Sequence, residues 1–215
     1  MEQEKGNVGS KVFSTRSLLI VITLVGAVTL SNLWLHRGSP PLGYARYTGF
    51  GFTVEYSQRM TMWEGDLGGY GPPTDSAGMV QWSRQERDLE QFGVIWIKPE
   101  GLSTSVDKTP LGALDQIFGY IGLAGTQIGV RGEIETMTKD GHEVVYQTFT
   151  VESGISIPGI VGAWYSEASG KYLMLYTIHV PDIYHPEIVS QEVETLWLGH
   201  LAACTDVKAS AGEGG

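Results

Sequence analysis

Cysteine is nearly absent: Cys204 is the only one in 215 residues. One thiol makes no internal disulfide, so the core must hold together by packing. A lipoprotein anchor would need a cysteine just after an apolar leader, and none stands there. Basic residues are scarce as well. From Gly38 onward, 10 Lys and Arg oppose 22 Asp and Glu, a net charge of −12 before any His charge. That sign argues against a nucleic-acid partner, whose phosphates need Lys and Arg, and against docking by a basic patch on anionic lipid. It suits solubility, or weak cation binding. The glycine-rich run Gly65–Gly78 contains no lysine and is followed by a β-like segment instead of a helix start, so it lacks what a phosphate loop requires.

What is present begins with one long uncharged run, Leu18 to Leu35. As a helix its 18 residues rise roughly 27 Å, close to the hydrocarbon thickness of a bilayer. Lys5, Lys11 and Arg16 precede it; His36, Arg37 and a Gly-Ser-Pro-Pro break follow. The nearest small-x-small cleavage site, Thr29-Leu30-Ser31, is poor, which favours an uncleaved signal anchor over a cleaved signal peptide or a buried soluble helix. Trp34 stands where an interfacial aromatic belongs. The charges favour the N-terminus inside. The expected organisation is a disordered cytoplasmic tail over 1–16, a transmembrane anchor over 17–36, a linker over 37–47, one α+β domain over 48–204 on the extracytoplasmic side of the cell membrane, and a disordered tail over 205–215.

The domain reads as strands, helix, four strands, helix. Phe50, Phe52, Val54 and Tyr56 alternate with Gly51, Thr53 and Glu55, which predicts a strand over Thr48–Tyr56 with one buried face. Met60, Met62 and Trp63 continue the pairing after a turn. Met79–Gln85 and Phe92–Lys98 flank the charged turn Arg84–Glu90. Pro110 opens a helix with Thr109 as N-cap and Leu111, Leu114, Ile117, Phe118 and Ile121 at three- and four-residue spacing. Ile128–Thr138, His142–Val151, Gly159–Glu167 and Lys171–Val180 follow as an antiparallel meander, with Lys139-Asp140-Gly141 and Ala168-Ser169-Gly170 as turns. Pro186–Ala203 closes the domain as an amphipathic helix. Two helices cannot cover both faces of a seven-stranded sheet. The expected fold is a strongly curved antiparallel sheet of six or seven strands, with the helices on one side or at opposite ends.

Three segments carry a resemblance to a known fold family: TGFGFTVEYSQRM, DGHEVVYQTFTVESG and GAWYSEASGKYLMLYTI. They resemble the opening strand and central hairpin of the PsbP-like proteins. That family includes the PsbP extrinsic proteins of photosystem II, a Ran-binding nuclear import factor and DcrB-like anchored proteins. The order of elements is similar from Thr48 to Ala203. The family's first strand often runs into Tyr-Pro; here Ser57 follows Tyr56. The resemblance implies a non-enzymatic protein that binds partners or stabilises assemblies, and it supplies no catalytic residues and no cofactor.

Several constellations invite chemistry. His179, Asp182, His185 and Glu187 lie within nine residues at a strand end and a helix start. They could ligate zinc if three or four converged; capping of the last helix by Asp182 or His185 accounts for the same residues. His200 and Cys204 would be neighbours on a continuing helix, but a Cys–His pair also needs a pocket and an orienting third group. Glu133 and Glu135 share one side of a strand and face water. Trp82 and Trp164 have polar neighbours on both sides, and with Tyr70 they are candidates for an exposed partner-binding surface, against plain packing under the Gly65–Gly78 loop. The functional expectation is an accessory, assembly or stabilising factor for a membrane complex, working by protein–protein contact. The alternatives are a small-ligand module with a groove beneath the Gly65–Gly78 loop, and a metal-dependent hydrolase around His179–Glu187.

Overall fold

The computed structural model of the chain describes residues 41–86, 88–123, 127–152, 156–182 and 192–207. The expected tail, anchor and first part of the linker, the residues from 208 onward, and His185 and Glu187 lie outside the described residues. The order is β1 (Tyr44–Gly49), β2 (Phe52–Ser57), β3 (Thr61–Gly65), β4 (Ala77–Gln85), β5 (Leu89–Ile97), α1 (Pro110–Leu123), β6 (Gln127–Lys139), β7 (His142–Glu152), β8 (Ser156–Ser166), β9 (Lys171–Val180), α2 (Val193–Ala203) and β10 (Cys204–Asp206). Strands β3-β4-β5-β9-β8-β7-β6 form a seven-stranded sheet, and β1-β2-β10 a three-stranded one. Every pairing is antiparallel.

The central strands β5 and β9 are apolar on both sides because both sides are covered. Ile95, Ile97, Val161, Met174 and Tyr176 pack under Ala113, Leu114, Ile117 and Phe118 of α1. Their sequence neighbours Val94, Trp96, Ile160, Leu173 and Leu175 point the opposite way, into a second cluster with Phe52 and Val54 of the small sheet and Trp197 and Leu201 of α2. The helices therefore lie on opposite faces of the large sheet, which corrects the expectation of one side or opposite ends. The premise that two helices cannot cover both faces still holds: the small sheet supplies the missing cover next to α2. Tight crossings need small residues. A Cβ on Gly162 would stand 2.5 Å from the Trp197 ring.

The expected strand Thr48–Tyr56 is two strands. Phe50 and Gly51 both have positive φ, 51° and 98°, and turn the chain between β1 and β2. Two such residues make the tight hairpin turn that matches strand twist. Glycine adopts this backbone freely, but phenylalanine does so only when held. The Phe50 ring stacks on Trp96 with centroids 4.2 Å apart, and its carbonyl accepts a 2.9 Å hydrogen bond from Lys171 Nζ. Apolar residues alternate straight through the turn, so alternation could not reveal it. β1 also takes in residues 44–47 of the expected linker.

The helix at Pro110 forms as its sequence requires. Thr109 Oγ1 accepts from the Gly112 N–H at 3.1 Å, an N-cap bond. The four-strand meander runs as expected, with Asp140 and Gly141 at positive φ in the first turn and Gly170 in the second. Edge strand β6 carries two register shifts, between Ile128 and Arg131 and between Arg131 and Ile134. Such bulges disfavour further strand addition at that edge.

Candidate functional site

The richest group of ionisable side chains gathers where β4, β5, β9 and α2 meet. His200 of α2 stacks on Phe92 with centroids 3.8 Å apart. Its Nδ1 lies 3.1 Å from Thr177 Oγ1 and its Nε2 lies 3.2 Å from Glu90 Oε1. Arg84 Nη2 bonds the other Glu90 oxygen at 2.9 Å and Asp88 at 2.7 Å. His179 Nε2 stands 3.9 Å from the same Asp88 carboxylate. The hydrogen bond from His200 holds the Glu90 carboxyl below the usual carboxylate range; burial opposes this, and the nearby His200, Arg84 and His179 charges reinforce it.

Hydroxyl, imidazole and carboxylate in this order resemble a nucleophile relay. Thr177, however, is fully buried, so its hydroxyl meets no substrate. What the chain of bonds does is fasten α2 to β5 and β9. His179 and Asp182 are both buried, and both have partners. No group of three or more potential metal ligands occurs among the described residues, which do not include His185 and Glu187. The structure does not pair His200 with Cys204. α2 ends at Ala203, and Cys204 turns into β10, fully buried, its thiol pushed up to about 12 by that burial. Glu133 and Glu135 face solvent; Glu135 accepts a hydrogen bond from the Tyr146 hydroxyl at 2.8 Å.

The aromatic candidates separate sharply. Trp82 and Trp164 are core residues, 0% and 1% exposed, which corrects their reading as surface anchors. The polar neighbours Gln81 and Ser83 belong to the opposite face of β4, while the Trp82 ring meets Phe92, Tyr56 and Tyr47 at 4.9, 5.2 and 5.5 Å. Trp164 donates from Nε1 to Asp206 at 3.1 Å. Tyr70 is different: it is 97% exposed. It sits on a closed loop that leaves the end of β3 at Asp66. The Asp66 N–H donates to the Gly71 carbonyl at 2.8 Å, and the Asp66 carboxylate accepts from the Tyr70 N–H at 2.9 Å. The backbone N–H of Tyr70 first, and those of Gly71, Gly69 and Gly68, keep the Asp66 carboxyl below its ordinary range against the opposing effect of burial. Leu67 packs inward while Tyr70 points out.

Two more exposed apolar side chains stand on β3 itself. Met62 and Trp63 are each 42% exposed, and the Trp63 ring lies over Gly65, where the Tyr70 loop begins. Among the described residues β3 pairs only with β4 and is one of the two edges of the large sheet, β6 being the other. Met62 pairs with Trp82 and Trp63 with Gln81, so the two side chains leave β3 on opposite faces; Trp63 stands on the Gln81 face, two residues before the loop that carries Tyr70. The rest of the glycine-rich run is tied down: Trp96 Nε1 donates to the Thr74 carbonyl at 2.8 Å, and Lys171 Nζ bonds Asp75 at 2.6 Å. Tyr70 was legible from sequence. Trp63 was not separable from the core tryptophans, because its exposure follows from β3 being an edge.

Among solved structures, the solution structure of cyanobacterial PsbP from Synechocystis aligns with 79% of this chain and 95% of its own, with a TM-score of 0.52 and 15% sequence identity. The fold is PsbP-like. A scan against protein-family models and a search of curated proteins each gave no match. At 15% identity the PsbP likeness concerns architecture, and what the domain does must be argued from its own surface.

Proposed function

We propose that this protein is a non-enzymatic accessory or assembly factor, held at a cell membrane by segment 17–36 with its domain on the extracytoplasmic side, and that it binds a protein partner through the β3 edge. The observation that carries the reading is Tyr70, 97% exposed on a loop whose backbone is ordered by Asp66. An exposed aromatic on a pre-ordered loop gives up little entropy on binding, and Tyr and Trp are the residue types that dominate interface energetics. Trp63, 42% exposed on β3, adds a second aromatic on an edge strand, where a partner finds open backbone groups as well as side chains. The chemically loaded Glu90–His200–Thr177 chain is closed to solvent at its hydroxyl, which supports a structural role over a catalytic one.

Native gel electrophoresis of solubilised membranes tests the proposal. The wild-type chain is expected to migrate within a larger assembly, and Trp63→Ser/Tyr70→Ala to migrate free of it with unchanged thermal stability. Identical migration of the two would remove the β3 edge from the account.

A further inference from the structure

We propose that the turn Pro41–Tyr44 is a lipid-contact point that seats the domain on the membrane surface; this rests on reading 17–36 as a spanning helix. Leu42 is 103% exposed, the most exposed large apolar side chain among the described residues, and Tyr44 is 46% exposed. The turn is built. The Tyr44 N–H donates to the Pro41 carbonyl at 2.9 Å, and the Gln58 N–H to the Gly43 carbonyl at 3.0 Å. Gln58 Nε2 adds a 3.1 Å bond to the Tyr44 carbonyl, and Gly43 takes φ +83° to allow the reversal. These bonds fix Leu42 outward at the point where the chain enters β1.

Chain length supplies the occupant. Leu42 follows Leu35, the last residue of the apolar run, by seven residues. At about 3.5 Å per residue the tether reaches no more than roughly 25 Å, and two prolines stiffen it. Leu42 therefore stays within roughly 25 Å of the end of the apolar run, a reach that includes the headgroup layer, roughly 5–8 Å thick on each side. A leucine enters that layer's apolar boundary, and a tyrosine places its ring there with its hydroxyl in water. The net charge of −12 from Gly38 onward rules out attraction to anionic lipid as the driving force. The contact is apolar, so it persists in zwitterionic lipid and in high salt.

The test uses the full chain in phosphatidylcholine vesicles, with an environment-sensitive fluorophore at Pro41→Cys and, separately, at Glu133→Cys on β6. Native Cys204 is buried and stays unlabelled. Spin-labelled phosphatidylcholine is the quencher. The probe at 41 is expected to be quenched severalfold more than the probe at 133, equally in high salt, and Leu42→Asp should lower the quenching at 41 severalfold; quenching at 41 unchanged by Leu42→Asp would report the tether alone and overturn the contact. Equal quenching at 41 and 133 in protein that floats with the vesicles would overturn the contact alone. Failure to float would overturn the spanning reading and the contact with it.

Discussion

Lys171 offers a sharp test of how the β1–β2 hairpin is held. Its side chain is 1% exposed, and its Nζ bonds the Phe50 carbonyl at 2.9 Å and Asp75 at 2.6 Å. Asp75 is itself 65% exposed and also meets Lys98 at 2.7 Å. The two ends of this pair therefore respond differently to substitution. Lys171→Met removes the buried charge, keeps the volume, and returns Asp75 to water and Lys98. Its cost is the unpaired Phe50 carbonyl, about 1–2 kcal/mol. Asp75→Ala leaves a buried ammonium with one carbonyl partner. Breaking a fully buried pair costs about 3–5 kcal/mol; because water reaches the place of an exposed carboxylate, about 2–3 kcal/mol is expected here. The exposed residue is thus the costlier one to remove. In Lys171→Met/Asp75→Ala the ammonium is gone, so the double variant should lose about as much as Lys171→Met alone, a coupling of about 2–3 kcal/mol. For a domain of this size 1 kcal/mol shifts Tm by about 2–4 °C. Urea and thermal unfolding of the Pro41–Gly215 unit, which contains both apolar clusters, measure all four corners of the cycle. Strict additivity, or Lys171→Met costing more than Asp75→Ala, would refute the reasoning.

Other outcomes follow from the same geometry. Glu90 has its folded-state pKa below the ordinary 4.5, with the His200 hydrogen bond as the first cause. Its stabilisation is present above that pH and is lost as pH falls through the lower folded value. Urea midpoints should therefore drop on acidification below about pH 4.5 in the wild type and drop less in Glu90→Gln. Trp164→Ala should cost about 3–5 kcal/mol by leaving a cavity and removing one of the partners of Asp206, whose other oxygen lies 3.3 Å from His142 Nε2, whereas Tyr70→Ala should stay within about 0.5 kcal/mol, as differential scanning calorimetry would show. Iodoacetamide at neutral pH should leave folded Cys204 unmodified and alkylate it in urea, read by intact mass, because burial raises its thiol to about 12.

Local chemistry made α1 and the four-strand meander legible. Thr109, Pro110 and a helical stripe define one, and paired turn residues such as Asp140-Gly141 define the other. The Phe50-Gly51 turn escaped because its stability is tertiary. The Lys171 that clamps it lies 121 residues away. Trp82 and Trp164 stood between a surface and a core reading because polar neighbours along a strand report on the other face, not on the residue between them. The Glu90–His200–Thr177 chain was invisible for a related reason: three elements distant in sequence converge only through the β5–β9 register. Of the site, Tyr70 was visible in the sequence, since a glycine- and proline-rich loop exposes its aromatic; Trp63 became distinct only once β3 proved to be an edge.

Site-specific photocrosslinking in native membranes tests the central claim most directly. A benzophenone side chain placed at Tyr70 should give one discrete protein adduct that disappears on adding Trp63→Ser, while the same probe at Glu133 gives none. An adduct unaffected by Trp63→Ser, or the same adducts from both positions, would contradict the β3 edge as the partner-binding surface.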